Sequence, residues 1–145
     1  MTAPLPTLSY TDCNCFAIRQ AARFISQMYE RHLAQAGVTA AQYTLLIAIG
    51  KRPGVTMQDL ADRMVMDRTT LVRALKPLQR DGWVTTAPQD PNSRAMGLQL
   101  SNTGVEKATE SHKLWTAAQA EFEEKFGRER ANELRKSLYE VTALE

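Results

Sequence analysis

Between positions 68 and 94 the chain carries five basic side chains, Arg68, Arg73, Lys76, Arg80 and Arg94, against two acidic ones, Asp81 and Asp90, a local net charge of +3. Arg68, Thr69 and Thr70 are consecutive, and Arg73 follows about one helical turn later. An arginine fork can bond guanine O6 and N7 together, while threonine reaches a phosphate, a base edge or a thymine methyl. This segment is therefore the candidate contact for a polyanion. Residues 101 to 145 hold seven basic and nine acidic residues, a net of −2, and are not.

Two other sets of residues are capable of chemistry. Cys13 and Cys15 stand two apart and point in different directions on a helix. Two cysteines cannot build a disulfide framework, and with His32 and His112 isolated no zinc pattern is completed. Neither a Gly-rich phosphate loop nor a nucleophile elbow is present, so no enzyme, cofactor or metal is expected.

The elements that position these residues are legible from caps and periodicity. Residues 1–11 read as an arm. From Asp12 a helical stripe runs through Ile18, Ala21, Ala22, Ile25, Met28, Tyr29, His32 and Leu33 to a stop at Gly37. Thr39 and Gln42 form a capping-box pattern that opens a short apolar helix, ended by Gly50. Thr56 caps a second short helix with Leu60, Ala61 and Met64 inward. Asp67 caps a third, with Leu71, Val72, Leu75 and Leu78 inward, Pro77 bending it, and a stop at Asp81-Gly82. Trp83–Thr86 predicts a strand, residues 88–93 a dense turn, and Met96–Leu100 a second strand. Ser101 caps a long helix whose stripe includes Val105, Ala108, His112, Trp115, Phe122 and Phe126, and Gly127 separates it from a last helix.

The bulk properties agree with one small globular unit. A chain of 145 residues fits a single domain, and 43% hydrophobic residues is enough for a packed core. A net charge of only +2 excludes a histone-like tail or an acidic disordered chain. No apolar run reaches membrane-spanning length, and Met1–Tyr10 lacks a signal-peptide pattern. A cytoplasmic protein with no membrane partner is expected.

Short helix, capped helix and hairpin, in that order, predict a winged helix-turn-helix in a mainly α fold with a small β-hairpin wing. The chain resembles the MarR (multiple antibiotic resistance regulator) family. The matching residues are Gly37 to Tyr43, Met57 to Ala61, Asp67 to Arg73, Leu78 to Val84, Arg94, and Leu98 to Gly104. The resemblance implies one domain over residues 1–145, with dimerisation helices at about 12–36 and 101–145 and the winged domain at about 39–100. It implies a homodimer on a near-palindromic DNA operator, with Arg68, Thr69, Thr70 and Arg73 on the recognition helix and Arg94 on the wing. The family places an aspartate two residues before that arginine as a brace; here Asn92 stands there, with Asp90 further back.

For regulation the resemblance leaves alternatives open. The first is a repressor released by a small aromatic or carboxylate ligand, for which Arg19, Arg23, Tyr29, His32 and Tyr43 are the candidate pocket residues. A second is a peroxide-sensing repressor using Cys15, because Cys15-Phe16-Ala17 followed by Tyr29 is similar to the hydroperoxide-sensing branch. In that branch a second tyrosine falls where this chain has Ala40. The third is a winged-helix adaptor that binds protein and not DNA. Exposed Arg68, Arg73 and Arg94 weigh against it.

Overall fold

The computed structural model describes residues 1–7 and 9–143. After a single 3-10 turn at Tyr10–Asp12, α1 spans Asn14–Leu33 and continues into a 3-10 turn at Ala34–Ala36. The winged unit follows: α2 (Ala40–Lys51), α3 (Met57–Met64), α4 (Arg68–Arg80), β1 (Val84–Pro88) and β2 (Met96–Leu100). Two more helices close the chain, α5 (Asn102–Phe126) and α6 (Arg128–Thr142). The mainly helical architecture with a two-stranded wing is the one expected.

Side-chain caps begin most of the helices, each satisfying an otherwise orphaned backbone N–H. Thr39 and Gln42 form the reciprocal box at α2, with bonds of 3.1 and 3.0 Å. Thr56 accepts from Asp59 N at 3.1 Å, and Ser101 from Gly104 N at 3.0 Å. Gly37, with φ of +73°, turns the chain out of the first helical segment in a conformation that a side chain would strain.

The core of the winged unit is aliphatic. Leu45, Leu46 and Ile49 of α2, Leu60 of α3, and Leu71, Leu75 and Leu78 of α4 meet Val84 and Leu98 of the wing, all at 2% exposure or less. The strands are antiparallel, with Val84 opposite Leu100 and Pro88 opposite Met96. Leu98 also bonds the turn before α3, donating to Val55 O and accepting from Gly54 N, both at 2.8 Å. The wing base is thereby pinned to the helices, which leaves its tip free to project.

Four local expectations need correction. Gly50 lies inside α2 and does not end it; it gives close passage to Leu100, whose Cδ1 would lie 3.0 Å from an added Cβ. Pro88 belongs to β1 at the strand end and not to the turn. The first helix begins at Asn14 with Cys13 as its cap, so Asp12 closes the preceding 3-10 turn and Cys15 is the second helical residue. Val72 faces outward at 36% exposure, while Leu71, Leu75 and Leu78 are fully buried.

The terminal helices leave apolar side chains uncovered in the single chain. On α1, Ile18 and Phe24 are 44% and 65% exposed, and on α6 Leu134, Leu138 and Val141 are 38–46% exposed. Of the described α6 residues only Ala131 is buried. No single helix among the described residues is long and apolar enough to cross a membrane.

Candidate nucleic-acid interface and effector cleft

The start of α4 is set by Asp67, whose Oδ1 accepts a 2.7 Å bond from Thr70 N. That backbone bond, then one from the Thr70 hydroxyl and the nearby charge of Arg73, hold the Asp67 carboxyl below its ordinary value. From this fixed start the helix turns its leucines into the core and its polar side chains outward. Arg68, Thr69, Val72, Arg73 and Lys76 line one shallow hollow of about 340 Å³ on the outer face. Thr70 is exposed but belongs to the cap and does not line the hollow. Three cations thus gather around one concave surface, a charge arrangement suited to a polyanion, and the side chains stand at the spacing of a single helix face.

Arg94 is exposed in the connection between β1 and β2 and makes no ion pair among the described residues. Asp90 does not brace it. Its Oδ1 instead accepts from Asn92 N at 2.9 Å, while Ser93 Oγ accepts from Ala95 N at 3.0 Å. Gln89 Nε2 ties the wing to Gly54 O at 2.9 Å. The acidic residue thus shapes the loop backbone, and the Arg94 guanidinium has no side-chain partner among the described residues.

The sequence-based pocket residues do not assemble as one site within the chain. Tyr29 and Tyr43 share a small hollow of about 200 Å³ with Leu33, Ala40 and Trp115. The Tyr29 hydroxyl donates to Gln119 Oε1, and burial pushes the Tyr29 phenol up, with Glu123 adding to the shift. His32 lies apart, 3.7 Å from Glu121 Oε2, which Arg31 also approaches at 3.5 Å. Arg19 and Arg23 stand at the other end of α1, around a hollow of about 360 Å³ shared with Cys13, Cys15 and Phe16. Both cysteines are exposed, and Phe16 N donates to Cys13 Sγ at 3.4 Å.

A larger cleft, about 850 Å³, lies between α2, β2 and α5 and reaches Tyr139 of α6. One wall is an aromatic stack. Tyr43 and Trp115 have ring centroids 6.0 Å apart, and His112 and Trp115 5.4 Å apart, with planes within 19° of parallel. The Tyr43 hydroxyl is 2.9 Å from His112 Nδ1, and burial raises the Tyr43 phenol. Lys51, Thr44 and Thr109 supply polar groups at the lining. His112, Trp115 and Lys51 were not among the expected pocket residues. His112 and Trp115 are visible in the sequence as members of the α5 stripe, but their convergence with Tyr43 is a long-range contact.

Comparisons with known proteins agree with this geometry. A family model described as the MarR family matches residues 36–95. The regulator TtmR of Methylorubrum extorquens is 30% identical over 90 residues, which are 62% of this chain and 46% of TtmR. The chain thus matches about half the length of that curated relative. Transcriptional regulator MosR of M. tuberculosis, solved in complex with DNA, is 32% identical, covering 91% of this chain and 99% of MosR at a TM-score of 0.73. The repressor CouR on a 23-mer duplex is 20% identical and has the same fold, with a TM-score of 0.83 over 97% of this chain and 99% of CouR. From the capped α4, the pinned wing and these likenesses, the chain belongs to the MarR family of winged helix-turn-helix transcriptional regulators.

Proposed function

We propose that the protein is a sequence-specific DNA-binding repressor, acting as a homodimer and released from its operator by a small aromatic or carboxylate ligand. One observation carries the DNA reading: the outer face of α4 gathers Arg68, Arg73 and Lys76 with Thr69, while Arg94 on the wing makes no ion pair among the described residues. Phosphate contacts fix the register and base-edge contacts give the sequence preference. MosR in complex with DNA supports the same use of this fold.

The dimer reading rests on the apolar side chains that α1 and α6 leave uncovered. Apolar side chains left uncovered on terminal helices suit burial against a partner, and a two-fold dimer would present two α4 helices to successive major grooves. Dimers and duplex binding are tested together. Light scattering should give twice the 16.2 kDa chain mass. Anisotropy with a labelled duplex pool should show binding by the native chain and none by an Arg68→Ala/Arg73→Ala variant of unchanged helicity. A monomer, or equal binding by both proteins, contradicts the proposal.

The effector reading rests on the stack of Tyr43, His112 and Trp115 along the 850 Å³ cleft. Such a wall favours a planar aromatic group, and Lys51 supplies the charge for a carboxylate. CouR is described bound to p-coumaroyl-CoA, an aromatic thioester, which supports the class and not the compound. A thiol-based release is the second reading, favoured by the exposure of Cys13 and Cys15 beside Arg19 and Arg23. Cys15 and Tyr29 are separated by roughly 21 Å along one helix at the usual rise, and the Tyr29 hydroxyl is already bonded to Gln119. Titrating the DNA complex with cumene hydroperoxide separates the two readings. Release of the native protein but not of Cys15→Ser or Cys13→Ser replaces the ligand reading; equal behaviour of all three supports it.

A further inference from the structure

Val72 sits within the hollow on α4, with Arg68 one turn before it, Lys76 one turn after, and Thr69 and Arg73 beside it. It is the one apolar side chain lining that hollow, and it is 36% exposed while Leu71 next to it is fully buried. The fold therefore does not use Val72 to fill its core. A valine on a helix is held almost wholly in one χ1 rotamer, so its two methyl groups are presented in a fixed position at little entropic cost. In a major groove the apolar feature that could cover them is the C5 methyl of thymine. The surrounding guanidinium and ammonium groups suit phosphates and the polar edges of bases, and besides the two methyls of Val72 only the single γ-methyl of Thr69 lines the hollow.

We propose that Val72 is a specificity-determining residue that reads one thymine in each half-site through its C5 methyl. This rests on the proposed DNA binding by α4. Removing one methyl from such a contact should weaken binding about fourfold, the equivalent of one buried CH₂ or CH₃ group.

The test uses the full chain and a duplex that it selects from a random pool. Each thymine is replaced in turn by deoxyuridine, which deletes only the methyl and leaves every hydrogen-bonding group in place. The native protein should lose about fourfold affinity at one thymine in each half-site. Val72→Ala should bind the thymine and uracil duplexes equally there. Val72→Thr, which keeps one γ-methyl, should still prefer thymine. If the native protein tolerates uracil at every position, or Val72→Ala discriminates as well as the native protein, the proposal is wrong. Failure to select any duplex is a different outcome: it removes the DNA-binding reading itself, and this proposal with it.

Discussion

The Tyr43 hydroxyl lies 2.9 Å from His112 Nδ1, although 69 residues separate the two in the chain. Tyr43 belongs to α2 of the winged unit and His112 to the long helix α5. Their contact joins the part that carries α4 to the part that carries the uncovered apolar faces. In the proposed dimer, a ligand entering beside this pair acts on the joint between the two parts.

The first prediction concerns this cleft. The chain has two tryptophans, and only Trp115 lines the cleft. An aromatic carboxylate that releases DNA should quench tryptophan fluorescence in the native protein and in Trp83→Phe. It should leave Trp115→Phe unquenched. Quenching that survives in Trp115→Phe places the ligand elsewhere.

Arg73 and Arg94 should differ in kind. If Arg73 makes a bidentate base contact, Arg73→Ala costs about 1–3 kcal/mol at the preferred site and relaxes specificity at one position. Arg94→Ala should weaken binding to all sequences and reduce the slope of log K against log salt by about one unit. Competition titrations at several salt concentrations check both. A uniform loss for Arg73→Ala would make it a phosphate contact, and an unchanged slope for Arg94→Ala would remove the wing from the interface.

The Asp67 cap should give an acid-sensitive term. Its carboxyl is held below the ordinary value of 3.8, mainly by the Thr70 backbone bond. The sign follows: the stabilisation is fully present above pH 3.8 and is lost as pH falls through the lower folded-state value. Asp67→Asn retains a cap acceptor without the titrating charge. Its melting temperature should therefore approach that of the native protein as the solution is acidified below pH 3.8. A difference that stays constant with pH would mean the charge contributes nothing to the cap.

The junction between the wing and α5 should tolerate no side chain at Gly104. A Cβ there would stand 2.1 Å from Trp83 O, a backbone atom that cannot turn aside. Gly104→Ala should cost about 1–3 kcal/mol or more, as overpacking does. Ser101→Ala, which removes the cap of α5 and a 2.5 Å bond to Gly82 O, should cost about 1–2 kcal/mol. Urea unfolding followed by circular dichroism measures both; a Gly104→Ala protein as stable as the native one contradicts the packing described.

Local rules made much of this fold legible. Thr39, Thr56, Asp67 and Ser101 each announce a helix because a short side-chain acceptor must meet an orphaned N–H. Gly37 and Gly127 mark breaks because both have positive φ. Val72 falls on the outer side because it lies about 60° from Leu75 around the helix at 3.6 residues per turn, and an apolar residue at the edge of a buried stripe carries no sign of which side it falls on. Gly50 was misread because its small size serves packing against Leu100, and a helical glycine looks like a terminator in sequence. The pocket was only partly legible for a different reason. Tyr43 gives no local hint of His112, and Arg19 and Arg23 lie two to three turns along α1 from Tyr29.

The most direct test is selection of duplexes from a random pool by the full chain, followed by footprinting of the winner. The enriched duplex should be a near-palindrome whose half-site centres lie about 10–10.5 base pairs apart, the spacing of successive major grooves at roughly 34–36 Å. Protection should cover both half-sites, and Arg68→Ala/Arg73→Ala should abolish it. No enrichment over the starting pool, or a footprint on a single unpaired site, would contradict a dimer that reads DNA through α4.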